Sequence, residues 1–149
     1  MSKDLAAEIA TQCLASRVRR LERTVSRIYD GALRGTGITG PQLAMLVVVE
    51  LAGPTTAAFI GARLNLEKST VSRNLARLAA AGLIETEGGL RITPRGSATI
   101  RACHPLWRRA QQQLREALDS RELRLVDSLS HEPSSNPTSR SSHGKRRHR

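Results

Sequence analysis

The sequence predicts a mainly α-helical chain with one small β-hairpin, and three observations carry that prediction. Apolar residues recur at helical spacing through most of the chain, while Ala and Leu abound and β-branched runs are short. Two short strand-like runs, Leu83 to Thr86 and Leu90 to Thr93, flank Glu87-Gly88-Gly89, which has the composition of a hairpin turn. Gly53-Pro54 and Gly82 punctuate the helical runs at their ends.

Taken in order, the first element is a long helix from Leu5 to about Leu33. Ile9, Leu14, Val18, Leu21, Val25 and Ile28 form its apolar stripe, and Arg17, Arg19, Arg20, Arg23 and Arg27 decorate the rest. A stripe this long needs a surface beyond a small domain, and a second copy of the chain is the natural one. Gly31, Gly35, Gly37 and Gly40 end the helix in a loop. Thr39 then caps a nearly all-apolar helix (Leu43, Met45, Leu46, Val47, Val49, Leu51), with Pro41 in its first turn. Thr55 is expected to cap a short helix through about Leu64, and Asn65-Leu66-Glu67 turns into the next.

That next helix, from Glu67 or Lys68 to Gly82, carries the most information. At about 100° per residue, Val71, Leu75, Leu78 and Gly82 fall on one line. Ser69, Ser72, Arg73, Ala76, Arg77 and Ala80 fall opposite. A face of small residues, hydroxyls and arginines suits entry into a DNA major groove, where bulk clashes and arginine reaches guanine or phosphate. Two helices joined by a tight turn, followed by a hairpin, make a winged helix-turn-helix. Thr93-Pro94-Arg95-Gly96 opens a second long helix to about Leu118, with Pro105 a candidate kink. Ser120 caps a last helix from Arg121 to about Leu129. From His131 onward, Ser, Pro, Asn, His and basic residues predict disorder.

Composition agrees with this reading. The 149 residues suit one domain, and 2% aromatics mean a core of Leu, Val, Ile and Ala. A net charge of +11 points to nucleic acid or an anionic membrane. Residues 131–149 hold five of the 24 basic residues and one of the 13 acids, so 1–130 remains basic without them. No apolar run approaches the roughly 20 residues of a membrane span, and Met1 to Leu5 has no signal-peptide core; the expected location is cytoplasmic. Cys13 and Cys103 fit neither a disulfide scaffold nor zinc spacing. Metal, cofactor and catalytic constellations are not expected: the sequence has no phosphate-binding glycine loop and no nucleophile elbow.

Tyr29-Asp30, Gly37-Ile38-Thr39, Gln42-Leu43 and Leu46, then Leu64 to Arg73 with Leu78 and Gly82-Leu83-Ile84, and finally Ile92 to Gly96, together resemble the MarR family of bacterial transcription regulators. The resemblance covers roughly residues 5 to 130. It implies a homodimer on double-stranded DNA, with the first and last helices at the dimer interface and two recognition helices in successive major grooves of a pseudo-palindrome. It also implies repression, relieved by a small phenolic or anionic ligand or by cysteine oxidation. The organisation that follows is 1–38 as the N-terminal dimerisation helix, 39–93 as the winged helix-turn-helix, 94–130 as C-terminal dimerisation helices and 131–149 as a disordered basic tail. Family wings usually carry an Asp-x-Arg motif on a longer loop; here Arg91 is the sole nearby arginine.

The expected DNA-contacting residues are Lys68, Ser69, Thr70, Ser72, Arg73 and Arg77, with Arg91 in the wing and Arg63 and Arg95 flanking. Capping is the competing role for Ser69, and Thr55 is a weaker phosphate candidate. Arg95 sits in a first helical turn, where the helix dipole disfavours a cation, so a compensating contact is expected. Cys13, one turn from Arg17, is the redox candidate, with plain packing favoured over sensing. Cys103 is expected in the core. Trp107 is expected in the core, at the dimer interface or lining a ligand cavity. A winged helix binding RNA or another protein is the remaining alternative.

Overall fold

A computed structural model describes residues 2–118 and 120–130. The expected tail, 131–149, lies outside them. The described chain forms two bodies, one through Ala117 and one from Leu118.

In the first body, the single long N-terminal helix of the sequence reading is two: α1 (Ser2–Gln12) and α2 (Leu14–Ala32). The break is at Cys13, whose ψ of 108 takes the backbone out of the helical well. Local polar groups stabilise it. Thr11 Oγ1 donates back to the carbonyls of Ala7 (2.8 Å) and Glu8 (3.2 Å), a contact that bends helices. The Thr11 carbonyl accepts from Arg17 Nη2 at 2.9 Å, a side chain standing in for a lost helical donor.

α3 (Gly40–Ala52) is the centre of the core, with Leu43, Met45, Leu46 and Val49 buried. Thr39 caps it as expected, and Gln42 Oε1 accepts the Thr39 N–H at 3.0 Å. α4 (Ala57–Leu64) differs by one residue from the expectation. Its N-cap is Thr56, which accepts from the Phe59 N–H at 3.2 Å. Thr55 is buried and pairs with Leu90 through both backbone bonds, 3.1 and 2.9 Å, adding a third edge to the wing. Its hydroxyl is therefore not placed for a phosphate at the surface.

α5 (Lys68–Ala80) buries Val71, Leu75 and Leu78, as its periodicity predicts. It ends in the six-to-one, five-to-two double bond of a Schellman turn: Leu83 N–H to the Leu78 carbonyl (3.0 Å) and Gly82 N–H to that of Ala79 (2.8 Å). Gly82 holds a φ of +66 there, a conformation that favours glycine. β1 (Ile84–Glu85) and β2 (Arg91–Ile92) pair antiparallel, with Ile84 opposite Ile92 and Glu85 opposite Arg91.

α6 (Pro94–Ala117) runs on through Pro105 without interruption of the helix. Its start is crowded. Thr93 Oγ1 accepts the Gly96 N–H (3.0 Å) and donates to the Gly82 carbonyl (2.8 Å), while Thr93 N–H reaches the Leu83 carbonyl (3.1 Å). A Cβ on Gly96 would collide with the Leu83 carbonyl oxygen and the Ile92 side chain, so only glycine lets helix and wing approach this closely. Ser97 Oγ donates to Glu50 Oε2 (2.6 Å), tying α6 to α3. α2 packs chiefly on α6, where Gln111 Nε2 donates to the Tyr29 hydroxyl at 2.6 Å. The second body contains α7 (Ser120–Ser130), an amphipathic helix close to the bounds expected from Ser120.

Candidate nucleic-acid interface and adjoining cavity

Because three apolar residues of α5 are drawn into the core, its other face must point out. Lys68, Ser69, Ser72, Arg73, Ala76, Arg77 and Ala80 are all exposed. Lys68 is the first residue of the helix and Glu67 the N-cap, so Ser69 is inside the first turn and does not cap it. Thr70 is half-buried, and its carbonyl accepts from Asn74 Nδ2 at 2.9 Å. Arg73 Nε makes an intrahelical bond to the Ser69 carbonyl at 3.3 Å, using one of five guanidinium donors. The result is one convex strip of hydroxyls and cations, with alanines between the arms.

The flanking candidates divide. Arg63 is exposed in the last turn of α4, where a cation also suits the helix dipole. Arg91 is exposed on β2 but directly across the ladder from Glu85, so its charge is partly balanced within the wing. Arg95 is exposed, and its Nη1 lies 3.9 Å from where a Gly82 Cβ would be. That places the guanidinium over the C-terminal end of α5, whose dipole favours it. No acid pairs with Arg95 among the described residues; its guanidinium lies beside the end of α5.

A cavity of about 1020 Å³ opens behind the helix-turn-helix, among α2, α3 and α6. Leu43, Val47, Ile100, Tyr29 and Trp107 give it an apolar and aromatic wall, and Asp30 and His104 reach its lining. His104 stacks on Trp107, 5.9 Å between ring centres and 24° between planes. Burial pushes the Tyr29 phenol above its ordinary pKa, against hydrogen bonds from Gln111 and Trp107 that pull it down. The sequence reading named Trp107 as one lining candidate but did not find the cavity, because its residues come from separate helices that meet only in the fold.

Cys103 is fully buried in the core, and burial pushes its thiol up against an opposing Thr36 bond. Cys13 is partly exposed at the helix break; hydrogen bonds from Ser16 hold its thiol below the ordinary value. Among the described residues no group of His, Cys, Asp and Glu is arranged to hold a metal ion, and no helix is long and apolar enough to cross a membrane.

A helix-turn-helix with a two-stranded wing and an outward polar recognition helix defines a winged-helix protein of the DNA-binding type. Residues 36–89 match the MarR family model, so this segment, which holds the helix-turn-helix and the first strand of the wing, is similar to that of the MarR family. The transcriptional regulator MosR of M. tuberculosis is 29% identical, over 78% of this chain and 91% of its own, with a TM-score of 0.70. The MarR family protein Rv2887 of Mycobacterium tuberculosis, solved in complex with DNA, is 18% identical, covering 79% and 98%, at a TM-score of 0.65. The transcriptional repressor CouR, solved bound to p-coumaroyl-CoA, is 19% identical, covering 81% and 90%, at 0.75. The last two likenesses speak for the fold alone. No curated protein sequence matches the chain.

Proposed function

We propose that this chain is a homodimeric, sequence-specific DNA-binding repressor that lets go of its operator when a small aromatic ligand fills the cavity behind α5. The observation that carries the reading is the outward strip Lys68, Ser69, Ser72, Arg73 and Arg77, set opposite the buried Val71, Leu75 and Leu78. Arg73 forks to a guanine edge, the hydroxyls meet base edges or phosphate, and Lys68 and Arg77 meet phosphate. The short wing, with Arg91 facing Glu85, adds little in the minor groove.

The partner subunit is a second copy of this chain. Leu5, Ile9, Leu14 and Val18 on α1 and α2 are 58%, 68%, 73% and 62% exposed, a continuous apolar stripe of the kind that marks an interface. Two strips related by a twofold axis would then read two half-sites on one side of the duplex.

DNA fragments selected from a random pool test this function. Arg73→Ala should weaken binding to the selected site by about 1–3 kcal/mol and relax its base preference. An Arg73→Ala protein that binds the selected site normally removes α5 from the reading role.

One observation favours a second reading, a redox switch on the same fold. Cys13 sits at a helix break, partly exposed, with its thiol lowered by Ser16. On that reading peroxide abolishes DNA binding by the native protein and spares Cys13→Ser. Binding that survives peroxide unchanged in both proteins sets the switch aside.

A further inference from the structure

The chain is strongly basic, yet the cavity among α2, α3 and α6 is not. We propose that this cavity selects uncharged or cationic aromatic ligands and turns carboxylates away, with Asp30 as the charge selector and the Tyr29 hydroxyl as the polar anchor. The inference rests on reading the cavity as the effector site, and it deepens that reading by naming the ligand class.

Four features of the lining carry it. Of 24 Lys and Arg in the sequence, none is among the described residues that line the cavity, whereas Asp30 is. A carboxylate entering this largely apolar groove gives up hydration beside the Asp30 charge and meets no Lys or Arg, His104 being the one lining side chain able to carry positive charge and its ring being stacked on Trp107. An ammonium group meets a carboxylate and two aromatic residues, Tyr29 and Trp107, the latter with one face stacked on His104.

The N-terminus of α3 also borders the cavity, through Thr39, Gly40 and Pro41. Its partial positive charge, about half a unit, would welcome an anion. Its donors are largely spent: Pro41 has no N–H, and the Thr39 N–H is bonded to Gln42 Oε1. The full charge of Asp30 outweighs what is left.

The Tyr29 hydroxyl has two acceptor lone pairs and one proton. Gln111 Nε2 occupies one lone pair at 2.6 Å. What remains is the O–H proton and one lone pair, so a neutral hydroxyl on the ligand can use both, and an ether or carbonyl oxygen the proton.

Trp107 is the sole tryptophan and lines the cavity, so its emission reports occupancy in the full chain. Three phenols of similar size serve as probes: tyramine (cationic), 4-ethylphenol (neutral) and 4-hydroxyphenylacetate (anionic). Tyramine should bind at least about tenfold tighter than 4-hydroxyphenylacetate, with 4-ethylphenol between them. Asp30→Asn, a change at an exposed position, should erase tyramine's advantage over 4-ethylphenol while the latter's Kd stays within about twofold. Tyr29→Phe should weaken both tyramine and 4-ethylphenol.

The proposal is overturned by equal or tighter binding of the carboxylate, by a tyramine advantage that survives Asp30→Asn, or by no change in emission with any probe at millimolar concentration. Binding to selected DNA without probe is measured alongside. Its failure with the ligand order intact sinks the regulator reading alone; a wrong ligand order with intact DNA binding sinks only this inference.

Discussion

Single residues decide more here than their exposure suggests. Tyr29 is the only tyrosine, so its ionisation can be followed by ultraviolet difference titration. Burial raises its pKa above the ordinary 10.0, so the folded state holds the phenol proton longer than the unfolded chain does. The matching stability is fully present below pH 10 and is lost as pH rises through the folded value. The titration midpoint should lie above that of the unfolded protein, and Tyr29→Phe should remove this part of the alkaline loss. A midpoint equal to that of the unfolded chain would show the phenol to be fully solvated. Two glycines make a second contrast. Gly31 lies in α2 with open space around it, and Gly31→Ala should raise stability by roughly 0.5–1 kcal/mol. At Gly96 the same substitution drives a methyl into the Leu83 carbonyl and Ile92, and should lower stability by about 1–3 kcal/mol. Thermal unfolding followed by circular dichroism gives both signs; like-signed shifts would refute the crowding at the start of α6.

At the scale of elements, the sequence was legible wherever one helix or turn specifies itself. The buried line of α5 follows from the 3.6-residue period alone, and the end at Gly82 from the need for a left-handed residue after it. The break at Cys13 was not legible. Neither Gly nor Pro marks it, and it rests on a threonine bonding back within α1 and an arginine of α2 reaching across the break to an α1 carbonyl. Thr55 and Thr56 could not be told apart as caps, because the backbone pairing of Thr55 with Leu90 comes from a segment about thirty-five residues away. The approach of Arg95 to the end of α5 was not legible either, since no spacing rule relates the two. The exposed strip of α5 was thus readable residue by residue, whereas the cavity, assembled from distant segments, was not.

At the scale of the whole molecule, the exposed apolar stripe of α1 and α2 is the surface on which the proposed homodimer rests. Val18→Asp combined with Leu14→Asp places two charges in that stripe and should convert a dimer to monomers in sedimentation experiments. Binding to a two-half-site DNA should fall with it. An unchanged sedimentation coefficient in the double variant would mean that the stripe lies outside the subunit contact. The Thr93 hydroxyl has a further consequence. One oxygen is fastened at once to the tail of the reading helix, at the Gly82 carbonyl, and to the head of the long helix that walls the cavity, at the Gly96 N–H. It works like a rivet through two plates. On the proposed reading, a guest that levered the long helix aside would swing the plate bearing Arg73 and Arg77 with it, or shear the rivet.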